Sequence, residues 1–283
     1  MAFSIQTNNS SLIALTNFEK ASAELDDVSK VISTGLNISS SEDDSSNFSI
    51  AQGIRGEVKS IGAVIRGINN AKGIAKVAIS GATAVSNLLQ DIRQKVTEGV
   101  NPANTAAQQV LMQNDYASLL QQMRQFMENS EFNGVNILIE TNVPFNTIVG
   151  DVNDVEVLSD LQGRSITLEG QRLDLSYALL LLENISTPAN ASQTLTILLQ
   201  EERRIYNALA SLGSNFRALE QQTKYLEILK DASETGLGNI VDADMARASA
   251  ELTSSQVRKE LAAQTLSIAN KNPQVFLGLF ENQ

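Results

Sequence analysis

The chain has 283 residues, a formal net charge of −11 and no Cys, His or Trp. Without thiol or imidazole there is no disulfide, thiolate centre, usual zinc set or histidine base, which leaves only carboxylate or Ser/Lys catalysis open. The acidic surface repels nucleic-acid phosphate and anionic lipid, so neither is a natural partner.

The opening residues, MAFSIQTNNSSLIALTNFEK, have neither the basic leader nor the apolar block of a signal peptide. No apolar run approaches the roughly 20 residues that cross a bilayer. Alone, these two features read as cytoplasmic. Ala14, Phe18, Ala21, Leu25, Val28 and Ile32 then alternate steps of four and three, a coiled-coil seam. Gly35 is placed to close this helix in the left-handed conformation.

After the polar stretch Ser39–Asn47 a longer seam runs from Ile54 through Ile61, Ile68, Ala75, Ala82 and Leu89 to Val96. It predicts one helix from about Asp44 to Glu98, roughly 80 Å long at 1.5 Å per residue. Asp43 and Asp44 read as its N-terminal cap rather than as a metal site. Gly67, Gly73 and Gly81 weaken the helix and permit close approach. Gly99–Val100–Asn101–Pro102 breaks the chain, and Met112, Tyr116, Leu119, Met123 and Phe126 form a third seam.

From about residue 132 to 175 the period changes. Asn133–Gly134 is a turn signal, and Val155/Val157 and Ile166/Leu168 alternate around Gly163 and Gly170, which predicts short strands and hairpins. Helical spacing returns with Ile205, Leu209, Leu212, Phe216, Leu219 and Leu226, and Gly236 and Gly238 interrupt it. A last amphipathic segment from Asp242 carries Leu252, Val257, Leu261 and Ile268 before Pro273. The fold class is therefore mainly α, a long antiparallel coiled-coil or helical-bundle rod with a small β-hairpin region in the middle of the chain. Terminal seams of this length do not hold helices in water on their own. They call for other copies of the chain, and are expected to order on assembly.

Several segments, in order, resemble those of bacterial flagellins. The start MAFSIQTN resembles their opening. Ile32–Ser33–Thr34–Gly35–Leu36–Asn37–Ile38 with Ser41–Glu42–Asp43–Asp44 is similar to "LSSGLRINSAKDD". Glu131–Phe132–Asn133–Gly134 matches "EFNG", and the eight residues from Asn239 to Ala246 resemble "NIxDADMA". Ala269–Asn270–Lys271–Asn272–Pro273–Gln274 is similar to the closing "ANQxPQ". The spelling is nearest to short alphaproteobacterial flagellins.

The resemblance implies a structural subunit of the flagellar filament, secreted and extracellular, exported unfolded through the flagellar type III exporter and polymerising with itself. Residues 1–40 and 241–283 would form the two halves of an inner-tube coiled coil, and 41–240 a rod domain. Self-assembly would use Ala14, Phe18, Ala21, Leu25, Val28, Ile32, Leu252, Val257, Leu261 and Ile268. Further implied partners are hook-associated junction and cap proteins and an export chaperone. No cofactor, metal or catalytic residue is expected. The stretch that vertebrate innate receptors read in many flagellins resembles "LQRxRELAVQ". Here it supplies Leu89, Gln90 and Arg93 as a subunit-contact patch, but Asp91 reverses a charge and Lys95 replaces a packed Leu. Alternatives within the same architecture are a hook–filament junction protein and a minor or regulatory paralogue. An adhesin is a further alternative, disfavoured by the few aromatic residues.

Overall fold

The structure, a computed structural model, describes residues 8–140 and 154–280, with side chains as far as Lys271. In chain order these residues form α1 (Asn9–Thr34), α2 (Ser45–Gly99), α3 (Ala106–Glu128), β1 (Val155–Leu158), β2 (Ser165–Leu168), α4 (Leu173–Leu181), α5 (Pro188–Val241) and α6 (Met245–Phe280). The fold is mainly α with a small antiparallel hairpin, as the pattern predicts. It divides into two compact units, Met1–Gly56 with Ala232–Gln283, and Glu57–Asp231.

Polar side chains set the helix starts. The Asn8 side chain accepts from Ser11 N–H at α1, and Asp44 accepts from Ser46 and Asn47 N–H at α2. Thr105 and Gln108 form a reciprocal capping box at α3. Pro188 opens α5, where its missing N–H costs nothing. Asp244 accepts from Ala246 and Arg247 N–H at α6. Gly35 ends α1 in the left-handed region with φ 70°.

In the unit 57–231, α2, α3, α4, α5 and the hairpin bury one shared core. The α2 seam positions Ile61, Ile68, Ala75, Ala82, Leu89 and Val96 are all buried in it, with Tyr116, Met123, Ile205, Leu212, Leu219 and Leu226. The Met and aromatic stripe of α3 is core packing. β1 and β2 pair from Val155↔Leu168 to Leu158↔Ser165, and turn Val157 and Leu168 inward. Asn133 (φ 53°) and Gly134 (φ 80°) turn the chain so that Phe132 and Val135 bridge, the backbone that an Asn-Gly pair favours.

Three sequence expectations are corrected. First, Leu173–Leu181 is a helix that begins inside the end of the expected strand region, about residue 175, and that the spacing does not predict. Most of its residues are buried, including Ser176 and Asp174, so it lacks the one-sided period that betrays a surface helix. The Tyr116 hydroxyl donates to Leu180 O at 2.7 Å and ties it to α3. Second, α5 runs through Gly236 and Gly238. Leu237, Ile240 and Val241 pack with Ile38, Phe48 and Ala51, and that packing outweighs the weak helix propensity of glycine. Third, α6 continues past Pro273 to Phe280. The residues 141–153 of the expected β region, and the matched opening before Asn8, lie outside the described residues.

The mid-helix glycines of α2 differ from one another. A Cβ at Gly81 would fall 1.8 Å from Ser130 Oγ and 2.7 Å from its Cβ, and one at Gly73 would fall 2.9 Å from the Phe132 ring. Both therefore admit the segment that follows α3, not another helix. At Gly67 nothing lies within 4 Å. Gly81→Ala is expected to lower stability by about 1–3 kcal/mol. Gly67→Ala should raise it by up to about 1 kcal/mol. Thermal melts of the two variants check the contrast, and Ser130→Gly should relieve the first.

Candidate functional site

In the unit formed by 1–56 and 232–283, α1 and α6 pair antiparallel. Asn8 Nδ2 donates to Ala269 O at 2.8 Å at one end, and Arg258 meets Glu24 at 2.9 Å along the pair. At the other end Leu36 and Asp242 form an antiparallel bridge. The Glu24–Arg258 ion pair is half-exposed and contributes little. The Asn8 contact has a clear cause. Pro273 has no N–H, so the carbonyl four residues earlier, Ala269 O, lacks its helical donor, and Asn8 supplies one.

The six expected α1 residues, Ala14, Phe18, Ala21, Leu25, Val28 and Ile32, are all buried or half-buried. The α6 seam is different from the expected set. Its buried and half-buried residues are Ala248, Leu252, Ser255, Lys259, Ala262, Leu266 and Ala269, again in strict four and three steps. Only Leu252 is common to both. Val257, Leu261 and Ile268 face outward, with Leu261 57% and Ile268 65% exposed. On α1, Leu12 and Ile13 are each 63% exposed. Hydrophobicity alone selects the outward residues, whereas the seam mixes Ala248, Ser255, Ala262 and Ala269 with Leu252, Lys259 and Leu266. In the structure α1 and α6 are formed helices. Each supplies the partner that the other's seam lacks.

The two loops at the far end of this pair hold each other by backbone. Asn37 N–H donates to Val241 O at 2.7 Å, and Ala243 N–H to Gly35 O at 3.0 Å. The segments similar to "LSSGLRIN" and "NIxDADMA" are thus one contact. Asp43, expected to cap α2 with Asp44, does other work. Its carboxylate takes Lys30 Nζ at 2.9 Å and the N–H groups of Ser39 and Ser40 at 2.9 Å, which fixes the turn between α1 and α2. The Lys30 ammonium, then those two N–H groups, hold the Asp43 carboxyl far below the usual range, and Asp43 in turn raises Lys30. Asp44 is lowered by the Asn47 N–H.

The expected contact patch on α2 is split. Leu89 is 1% exposed in the core of the unit 57–231, so it is not a surface residue, while Gln90 and Arg93 are exposed. Arg93 pairs at 3.4 Å with Glu202, which is nearly buried. Lys95 pairs with Glu98 at 3.1 Å. Sequence reading missed Asn8, although an Asn three residues before a helical N–H is a recognisable cap signal. It missed the buried Glu202 because nothing local marks a carboxylate that a distant Arg will cover. Among the described residues no group of three or more metal-ligating side chains converges, and no helix is long and apolar enough to cross a membrane.

Residues 5–143 match the bacterial flagellin N-terminal helical region, and residues 195–280 the bacterial flagellin C-terminal helical region. The chain is 30% identical to the flagellin FljO of Caulobacter vibrioides over 278 residues, 98% of each chain. It belongs to the bacterial flagellins. It is also 28% identical to a Brucella melitensis flagellin over 287 residues, 98% of this chain and 99% of that one. The fold resembles the crystal structure of Bacillus cereus flagellin, with a TM-score of 0.51, 23% identity, and 57% of this chain and 88% of that one covered. A structure from Vibrio parahaemolyticus described as a flagellar hook-associated protein shares the fold at a TM-score of 0.59 and 16% identity, with 71% and 100% covered. As a family member the chain is a structural subunit of the extracellular flagellar filament and polymerises with itself.

The Asp43 clasp has a pH window. A carboxyl lowered by folding contributes stability that is complete above its unfolded value, about pH 4, and is lost as pH falls towards the folded value. Lys30, raised, contributes below about pH 10.4. Asp43→Asn should therefore melt below the wild type at neutral pH, and the two curves should converge only well below pH 4. Equal melting at pH 7 would show that the clasp adds nothing.

Proposed function

We propose that the chain builds its filament through the outward faces of α1 and α6. The observation that carries this reading is the division of side chains on those helices. The two seams close the pair within one chain, and Leu12, Ile13, Val257, Leu261 and Ile268 stand outside them in solvent. Exposed aliphatic side chains repeated along paired helices mark a protein contact. On this reading residues 1–40 and 241–283 form the inner tube and 41–240 the wall. The subunit leaves the cell unfolded through the type III exporter, escorted by a chaperone. The filament begins on a junction protein and grows beneath a cap. The role is mechanical, with no catalysis.

Leu261→Glu and Ile268→Glu should abolish seeded polymerisation while the monomer melts normally, since neither side chain is in the seam. Expression of the wild-type chain in a strain without filaments separates this reading from a junction protein. Filaments of normal length support it, and stubs that never elongate overturn it.

The receptor-like stretch should be weak. Leu89 is covered by the chain's own core, Asp91 stands where a cation is usual, and Lys95 is engaged by Glu98. A reporter-cell assay should give low potency for the soluble monomer, and full potency would exclude this account.

A further inference from the structure

The chain has one Asn–Gly pair, Asn133–Gly134, and a particular chemistry goes with it. In an unconstrained chain the main-chain nitrogen after an asparagine can attack the amide carbon of that asparagine's side chain. Glycine at the next position removes the Cβ that would crowd the approach. Both residues are exposed, so water and base reach them. Yet the backbone is held. Phe132 N–H donates to Val135 O and Val135 N–H to Phe132 O, each at 3.0 Å, and φ is 53° at Asn133 and 80° at Gly134. Two positive φ values inside a doubly bonded pair make a type I′ turn, whose first central ψ is about +30°. For an L residue that ψ sets the following nitrogen anti to Cβ, across the Cα–C bond from the side chain. Ring closure needs the two on the same side, a rotation that breaks both hydrogen bonds of the turn. The flanks resist it too. The Phe132 ring packs over Gly73, Ser130 over Gly81, and Ile137 and Leu138 are in the core.

We propose that Asn133 is a self-deamidation site guarded by its own turn, open in the unfolded chain and shut in the folded one. In the open form the Gly134 nitrogen bonds to Asn133 Cγ, the Cγ–Nδ2 bond breaks, and ammonia leaves with the proton that the nitrogen gives up. Water, the only co-reactant, then opens the cyclic imide at either carbonyl. One product is aspartate. The other is isoaspartate, in which the main chain runs through the side-chain carbon and is one atom longer. Aspartate tolerates the left-handed conformation much as asparagine does. Isoaspartate does not fit the two-residue turn, because the extra atom displaces Phe132 from Val135. A chain that stays unfolded for long therefore loses the means to seat Phe132 and Ser130 against α2, and a chain that folds promptly keeps its amide. The site records time spent unfolded. It acts on the single subunit, whichever faces build the filament.

The test incubates the full-length chain in mildly alkaline buffer, folded and, in parallel, unfolded in urea. Peptide mapping by mass spectrometry reads the loss of the Asn133 amide, and enzymatic methylation of isoaspartyl carboxyls reads the branched product. In urea Asn133 should convert before any other asparagine. In the folded chain its loss should be at least about tenfold slower, since two hydrogen bonds must break together. Phe132→Ala, which loosens the turn, should bring the folded rate towards that in urea while the melt stays cooperative. If that variant does not fold, the ratio of the two wild-type rates decides. Asn133→Gly should keep the turn, since Gly-Gly suits it, and has no amide to lose. After ageing in urea and return to buffer, the wild type should melt lower in proportion to its isoaspartate, and Asn133→Gly should melt as before. Equal rates in the folded and unfolded chain overturn the guard. Preferential loss at another asparagine in urea overturns the site. An isoaspartate-rich chain that melts like fresh protein overturns the link between product and turn. Seeded polymerisation of fresh protein is a separate readout, so the filament reading stands or falls without these results.

Discussion

The backbone hydrogen bonds between Gly35–Asn37 and Val241–Ala243 close a loop of more than 200 residues. Everything at the chain ends depends on that closure. It sets α1 beside α6 instead of leaving two marginal helices to fray separately, and it gives each seam a partner before any second chain arrives. Closing so long a loop costs only logarithmically more than closing a short one. The small cluster of Ile38, Ala51 and Val241 packs beside these hydrogen bonds.

How far the sequence speaks depends on whether burial is one-sided. The α2 and α5 seams repeat at about 3.5 residues over many turns, and most of the residues the spacing picks out are buried, although Ile74, Leu88, Ala191, Leu198 and Ala208 join the core beside them. The Asn133–Gly134 turn and the Gly35 cap were equally legible, because positive φ restricts the residue type. Leu173–Leu181 was not, since a helix covered nearly all round carries no phase. Gly236, Gly238 and Pro273 misled for a different reason. Local propensity marks them as stops, and packing or a side-chain donor from elsewhere overrides it. The α6 seam shows the sharpest limit. Periodicity gives two candidate faces on that helix, one richer in Ala and Ser and one richer in large aliphatic residues, and the larger side chains draw attention first. Only the position of α1 tells which face turns inward.

That inversion fits a subunit whose final surroundings are other copies of itself. If Leu261 and Ile268 closed the intramolecular pair, they would be satisfied in the monomer and unavailable later. With Ala or Ser at four of the seven α6 seam positions, Val257, Leu261 and Ile268 stay available on the outward face. The acidic excess acts in the opposite sense, since like-charged monomers repel in dilute solution.

The bond from Asn8 to Ala269 adds a constraint of length. From Asn8 to Gly35 is 27 residues, and from Ala243 to Ala269 is 26, so two nearly equal spans run between the same pair of clamps. One residue inserted into either helix would advance it by 1.5 Å and rotate everything beyond by about 100°. One clamp or the other would then open. The two termini, though remote in sequence, are therefore gauged against each other, and a change in the length of one can persist only with a matching change in its partner.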